Sequence, residues 1–164
     1  MASALSNLSD YDAGAVPDGH SFKIAIAVSE WNYNITGGLL KGAIETLEKH
    51  GVVSDNILIK HVPGTFELPS AAQFFAKTEE FDGVITIGSV IQGETKHFDF
   101  VCQAASQGVK DVALTENLPV IFCVLTDNTL QQAIDRSGGK HGNKGVEAAV
   151  ACLKMIDLQQ SLNH

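Results

Sequence analysis

The sequence predicts an α/β protein in which one parallel sheet of four strands lies between two layers of helices. Three observations lead there. Four short apolar runs recur along the chain, at residues 22–28, 57–62, 84–88 and 120–125. Each is followed by a stretch whose apolar residues return at helical spacing, so strand and helix alternate. The runs are largely apolar, which is the pattern of strands covered on both faces of a parallel sheet.

The elements follow in order. Residues 1–21 hold Ser, Asp, Gly and Pro with few apolar side chains, and they lack the basic-then-apolar order of a secretory leader. They read as a flexible arm, or as a strand that orders only against a partner, ahead of a single domain over residues 22–164. After the first strand, Ile35, Leu39, Leu40, Ala43, Ile44 and Leu47 mark an amphipathic helix, with Gly51 as its stop. The second strand leads to a helix over 67–77, where Pro69 is tolerated because it falls in the first turn. The third strand leads to a helix over 97–114. The fourth is followed by helices over 130–136 and 145–158, the last with Val146, Ala149, Val150, Leu153 and Ile156 on one face. Four β-α units of this kind read as one doubly wound, flavodoxin-like three-layer sandwich. Such a fold gathers ligands at the carboxyl ends of its strands.

Composition narrows the function. The net charge is −8, and no basic stripe appears, which excludes nucleic acid as the main partner. No 18-residue apolar stretch is present, so no membrane span is expected. Cys102, Cys123 and Cys152 lie in apolar surroundings without C-x-x-C spacing, which reads as reduced thiols in a cytoplasmic protein. His97 and Asp99 diverge on a helix and have no third ligand at suitable spacing, so no metal is expected.

Polar segments follow all four strands: 29–32, 63–67, 90–97 and 126–128. The third is the richest. There the run from Ser89 to Phe100 carries glycine and polar residues into a helix start, which offers free N–H groups and partial positive charge to an anion. His97 stands in that first turn, and histidine is the side chain best suited to moving protons near neutral pH. A second cluster, residues 136–145, packs four glycines with Arg136, Lys140, His141 and Lys144 into what reads as an irregular cationic loop. Arg136 is the only arginine in the chain, and a guanidinium can grip phosphate through two parallel hydrogen bonds. Phosphate binding beside acid–base chemistry is the reading these residues support.

Three segments resemble the signatures of one family. Pro63-Gly64-Thr65-Phe66-Glu67-Leu68-Pro69 is similar to the P-G-A-F-E-[IL]-P element of lumazine synthases. Residues 90–101 resemble their V-I-R-G-x-T-x-H-[FY]-[DE]-[YF]-V, and residues 136–149 resemble their last signature, R-x-G-x-K-x-G-N-K-G-x-E-A-A. The resemblance spans residues 22–158, and it implies the flavodoxin-like fold already inferred.

It implies further that the chain condenses 5-amino-6-(D-ribitylamino)uracil with 3,4-dihydroxy-2-butanone 4-phosphate, without metal or organic cofactor. By the resemblance, Trp31 stacks on the pyrimidinedione. Thr65, Phe66 and Glu67 line the ribityl side, and Ser89, Val90 and Ile91 meet the ring's polar edge largely through their backbone. Glu94, Thr95, Arg136 and Lys144 hold the phosphate, and His97 transfers protons. Phe122 closes the uracil pocket from a neighbouring subunit, and Arg136 and Lys144 also come from across that interface. The implied partners are the two small-molecule substrates, further copies of the chain in a pentamer or a hollow sixty-subunit shell, and riboflavin synthase.

Three positions depart from the family pattern. Gln92 replaces the common arginine, Thr65 an alanine and Trp31 the frequent phenylalanine. Glu94 adds an acidic side chain beside the phosphate site, so its backbone is expected to face the ligand. Three rival readings are a flavin-binding electron carrier of the same fold, a purely structural shell protein and a flavin- or lumazine-binding homologue without synthase activity; the first leaves His97 and the Arg136 segment without a role.

Overall fold

The computed structural model describes residues 6–162. Its elements are β1 (Ile24–Ser29), α1 (Tyr33–Lys49), β2 (Ile57–Val62), α2 (Leu68–Thr78), β3 (Gly83–Ile91), α3 (His97–Thr115), β4 (Val120–Asp127), α4 (Leu130–Arg136), β5 (Ser137–Gly139), β6 (Gly142–Asn143) and α5 (Lys144–Leu162). The main sheet is four-stranded in the order β2-β1-β3-β4, with every pair parallel. This is the doubly wound, flavodoxin-like arrangement that the alternation predicts.

The sheet divides two cores. On one face Ile24, Ile26, Val28, Ile85 and Ile87 pack against Leu39, Leu47, Leu153 and Ile156 of α1 and α5. On the other, Ala25, Ala27, Val84 and Val124 meet Leu68, Ala72, Phe75 and Val112 of α2 and α3. Each fully buried Leu or Ile contributes about 1.5–3 kcal/mol from its transfer out of water. β1 is buried at all six positions because it lies inside the sheet under both helical layers. β2 is an edge strand and leaves Leu58, Lys60 and His61 exposed.

Helix ends follow their chemistry. Gly51 follows α1 in the left-handed region (φ 92°), where a Cβ would be strained. Pro69 sits in the first turn of α2 as expected.

The structure corrects three readings of the sequence. β3 continues past Gly88 to Ile91, because Ser89, Val90 and Ile91 stay paired with Leu125, Thr126 and Asp127 of β4. Backbone pairing carries the strand into a segment whose side chains had read as loop. Residues 136–145 are also not an irregular loop. They contain the antiparallel hairpin β5-β6, which turns at Lys140 and His141 and places left-handed Gly138 (φ 115°) at the irregular point of β5 and left-handed Gly142 (φ 81°) at the start of β6. Asn143 fastens it, donating Nδ2–H to the Gly38 carbonyl at 2.9 Å and accepting from the Gly145 N–H at 2.8 Å.

The third correction concerns the flexible reading of the N-terminal arm. From Ser6 to Ser21 it contains one 3-10 turn (Ala13–Ala15) and no strand, and it is tied to its own chain. The Leu8 N–H donates to the His141 carbonyl at 2.8 Å, and the Asn143 N–H donates to Ser9 Oγ at 3.0 Å. Tyr11 and His50 share a side-chain hydrogen bond of 3.1 Å. Residues 1–5 of the predicted arm lie outside the described residues.

Candidate active site

A cavity of 690 Å³ opens at the carboxyl ends of β1 and β3, where the winding of the sheet reverses direction. Its wall contains Trp31, Asn32, Gly64, Thr65, Phe66, Glu67, Ser89, Val90, Ile91, Gly93, Thr95, His97, Phe98 and Val101. Three predicted segments therefore meet there, contributed by the ends of β1, β2 and β3.

The β1 contribution is held rigidly. Ser29 Oγ–H donates to the Trp31 carbonyl at 3.0 Å, and Thr36 Oγ1–H donates to the Ser29 carbonyl at 2.9 Å. The Trp31 N–H donates to the Pro63 carbonyl at 3.2 Å, linking the first loop to the second. Asn32 takes the left-handed conformation (φ 59°), which asparagine tolerates better than most residues. Its Nδ2–H donates to the Ser89 carbonyl at 2.9 Å. The backbone thus turns at Asn32, and the Trp31 indole is left 72% exposed at the cavity. Phe66 faces the same space, 59% exposed. Large apolar rings left in water beside a concavity mark a binding surface.

The β2 contribution depends on close approach. Thr65 is buried against Gly88 of β3, where even a methyl group would fall 2.7 Å from Thr65 Oγ1. Glycine at 88 therefore lets the 3-10 turn Thr65–Glu67 lie directly on the strand that carries Ser89 and Val90. Glu67 is exposed, with its carboxylate folded near Gly64.

The β3 contribution combines strand and helix. Ser89 is almost fully buried, and its Oγ has no hydrogen-bond partner among the described residues. Gly93 has open space where a side chain would stand, so a ligand can approach its backbone closely. His97 begins α3, its N–H directed to Thr95 Oγ1 at 3.4 Å, and its side chain is exposed at the cavity. Within this first turn the Asp99 and Phe100 N–H groups donate to the Lys96 carbonyl at 3.0 and 3.3 Å, so what the helix start offers an anion beside the cavity is mainly its partial positive charge.

Four predicted residues lie outside this wall. Glu94 is flanked by Gly93 and Thr95, which do line it. Phe122 is half-buried on β4, paired with Thr86. Arg136 ends α4, its Nη1–H donating to the Gln132 carbonyl at 3.1 Å, with Asp127 Oδ1 at 4.0 Å. Lys144 starts α5, and its Nζ lies 2.6 Å from Glu147 Oε1. The predicted segment 126–128 likewise does not line the cavity: Thr126 and Asp127 end β4, and Asp127 lies near Arg136.

Sequence reasoning assigned no individual role to Asn32, Gly64, Phe98 or Val101, which also line the wall. Val101 was findable, because it stands four residues after His97 and so shares its helical face. Asn32 gave no such signal, since its reach to the Ser89 carbonyl depends on the left-handed turn. Among the described residues no group of three His, Cys, Asp or Glu side chains is placed to hold a metal ion. No helix there is long and apolar enough to cross a membrane.

Known proteins carry the same pattern. The family described as 6,7-dimethyl-8-ribityllumazine synthase matches residues 21–160. The protein of that name from Porphyromonas gingivalis is 55% identical over 160 residues, covering 98% of this chain and 99% of its own. That from Cytophaga hutchinsonii is 53% identical, covering 95% and 98%. That from Flavobacterium psychrophilum is 52% identical, covering 99% and 86%. With the motifs, the fold and these full-length likenesses in agreement, the chain belongs to the 6,7-dimethyl-8-ribityllumazine synthase family.

Proposed function

We propose that the cavity at the carboxyl edge of the sheet is where this chain carries out its family's reaction. In that reaction 5-amino-6-(D-ribitylamino)uracil condenses with 3,4-dihydroxy-2-butanone 4-phosphate to give 6,7-dimethyl-8-ribityllumazine, phosphate and water. The observation that carries the assignment is the convergence of exposed Trp31 and Phe66, the buried Ser89 strand end and the first turn of α3 with His97 on one cavity.

In this reading the pyrimidinedione stacks on Trp31, and its polar edge meets the backbone at Ser89, Val90 and Ile91. The ribityl chain runs past Thr65 and Phe66, and its hydroxyls donate to the Glu67 carboxylate. The phosphate lies at the backbone of Glu94 and Thr95 at the start of α3, with Arg136 and Lys144 supplying the opposing charge. The 5-amino group attacks the ketone, and the carbinolamine loses water to form an imine. Elimination of phosphate leaves a second carbonyl, which the ribitylamino nitrogen attacks, and loss of a second water closes the second ring. Each step moves a proton at nitrogen or oxygen, and His97 is the group in the cavity suited to give and accept it. General acid–base catalysis of this kind contributes about 10²–10⁴-fold. Holding two substrates in register supplies much of the remainder.

Phe122, Arg136 and Lys144 lie off their own chain's cavity, which supports a site completed by a neighbouring subunit. The assembly in this reading is a pentamer at least, and a sixty-subunit shell in full, able to meet riboflavin synthase as the next enzyme. The three free thiols support a reducing, cytoplasmic setting.

The test is steady-state turnover with both substrates. His97→Ala is expected to bind both and to turn over tens of times more slowly; unchanged turnover would overturn the assignment. Light scattering tests the assembly, since a mass of five chains or fewer removes the shell.

A further inference from the structure

Asp127 ends β4 and is only 7% exposed. Its Oδ2 has no hydrogen-bond partner among the described residues, and its Oδ1 lies 4.0 Å from Arg136 Nη1. That separation is too long for a hydrogen bond and short enough for strong Coulomb attraction. Nη1 spends a hydrogen on the Gln132 carbonyl at 3.1 Å instead. The carboxylate is therefore paired in charge while its hydrogen-bonding capacity stays unused. A buried carboxylate in this state is costly unless the nearby cation stays with it. Burial pushes the carboxyl up from its ordinary range, and the Arg136 guanidinium opposes that shift.

The local geometry holds the two groups together. Thr129 caps α4 through its side chain, and Gln132 Oε1 accepts from the Asn128 N–H at 2.8 Å, so strand end and helix form one rigid corner. The Asp127 carbonyl accepts from the Gln92 N–H at 2.9 Å. That bond ties the same corner to the segment that leads into the start of α3.

We propose that Asp127 is the resident counter-ion of Arg136, a positioning residue that weakens Arg136's hold on a phosphate group and so speeds release of the phosphate set free in the reaction. This rests on the reading of Arg136 as a phosphate grip. A phosphate that engages the guanidinium brings negative charge close to the Asp127 carboxylate, and the two anions repel across one shared cation. The chain needs that opposition because its product phosphate carries the same group that anchored the substrate. A grip tuned only for capture would retain the product.

The experiment uses the full-length assembled enzyme and inorganic phosphate as inhibitor against the butanone phosphate. Asp127→Asn keeps the shape and removes the charge, and Asp127→Ser removes it with a smaller side chain, so one of them folding suffices. Both are expected to lower the inhibition constant for phosphate about three- to tenfold. The KM for the butanone phosphate should fall in parallel, and the KM for the uracil substrate should stay unchanged. Arg136→Ala should raise the inhibition constant, and Asp127→Asn should then add nothing to it. If Arg136→Ala leaves phosphate inhibition unchanged, the reading of Arg136 is overturned and the counter-ion with it. If Arg136→Ala raises it while the Asp127 variants leave it unchanged or raise it, the counter-ion role alone is overturned. Equal tightening by Asp127→Asn with and without Arg136 overturns it too, since the charge then acts without its cation.

Discussion

Replacing Gly88 by alanine tests how far the site depends on close approach between β3 and the turn after β2. An added Cβ falls 2.7 Å from Thr65 Oγ1, 3.1 Å from Thr65 Cγ2 and 3.0 Å from Leu68 Cδ1. Both branches of Thr65 lie against it, so rotation about a stiff β-branched χ1 exchanges one clash for another. Leu68 is fully buried and has no space to yield. Removing a glycine from a strand stabilises by roughly 0.5–1 kcal/mol, whereas inserting a methyl group into a packed core costs about 1–3 kcal/mol. Overpacking wins. At about 2–4 °C per kcal/mol for a chain of this length, the midpoint of thermal unfolding should fall by several degrees at fixed protein concentration. Thr65 lines the cavity, so the KM of the uracil substrate should rise about threefold or more. Calorimetry and initial rates read the two effects. Thr65→Ala in the same chain removes both offending atoms and should restore most of the lost stability relative to Thr65→Ala alone. A Gly88→Ala variant with wild-type unfolding and KM, or one that Thr65→Ala does not rescue, refutes the reasoning.

Three further outcomes are expected. Arg136→Ala should raise the KM of the butanone phosphate at least tenfold and leave that of the uracil substrate within twofold; losing a charge-assisted bidentate contact costs about 1.5–3 kcal/mol. Cys123 and Cys152 are fully buried and burial pushes both thiols up to about 12, so a thiol reagent near neutral pH should modify Cys102 alone in the native protein and all three after unfolding. The same two thiols make stability pH-dependent. Folded chains keep those protons longer than unfolded ones, whose thiols titrate at the ordinary value of 9.0. The denaturation midpoint should therefore fall as pH rises from about 9 towards 12, and Cys123→Ala with Cys152→Ala should flatten that fall.

Much of the fold was legible because its signals are local. The apolar runs at 22–28 and 120–125 sit within β1 and β4 to a few residues, and the spacing of Ile35, Leu39, Ala43 and Leu47 gives the buried face of α1 directly. What the sequence hid is non-local. Ser89 to Ile91 read as loop because their continuation as strand depends on backbone pairing with β4. The hairpin at 137–143 hid behind its glycines, since the same residues serve a loose linker and a tight turn. The arm read as flexible because its anchors, His141, Asn143 and His50, are distant in sequence. At the site, His97 stood out by residue type beside a strand end, whereas Trp31 and Glu67 were singled out only by the resemblance to lumazine synthases. Asp127 did not: a carboxylate in a polar loop is unremarkable until its burial and its distance from the only arginine are known.

The charge at the cavity has a consequence for assembly. Of the residues that wall it, Glu67 is the one acid, and none is lysine or arginine. The chain as a whole carries −8. A phosphate entering the cavity of an isolated chain would meet the partial positive charge of the α3 start and His97, against a negative surrounding field. A helix start alone is worth about 0.3–1 kcal/mol when exposed, too little to hold a phosphate substrate at the concentrations at which enzymes ordinarily work. The missing cation is present in the sequence, at Arg136 and Lys144, but outside the cavity wall of its own chain. In the proposed assembly a neighbour brings them to the cavity, and affinity for phosphate becomes a property of the interface. Dilution or a mutation that separates subunits should therefore abolish binding of the butanone phosphate before it unfolds the chain. Binding of the uracil substrate, walled on three sides by one chain, should weaken less. Measuring both affinities on separated subunits decides the matter: equal loss of the two, or retention of the phosphate substrate alone, contradicts the shared site.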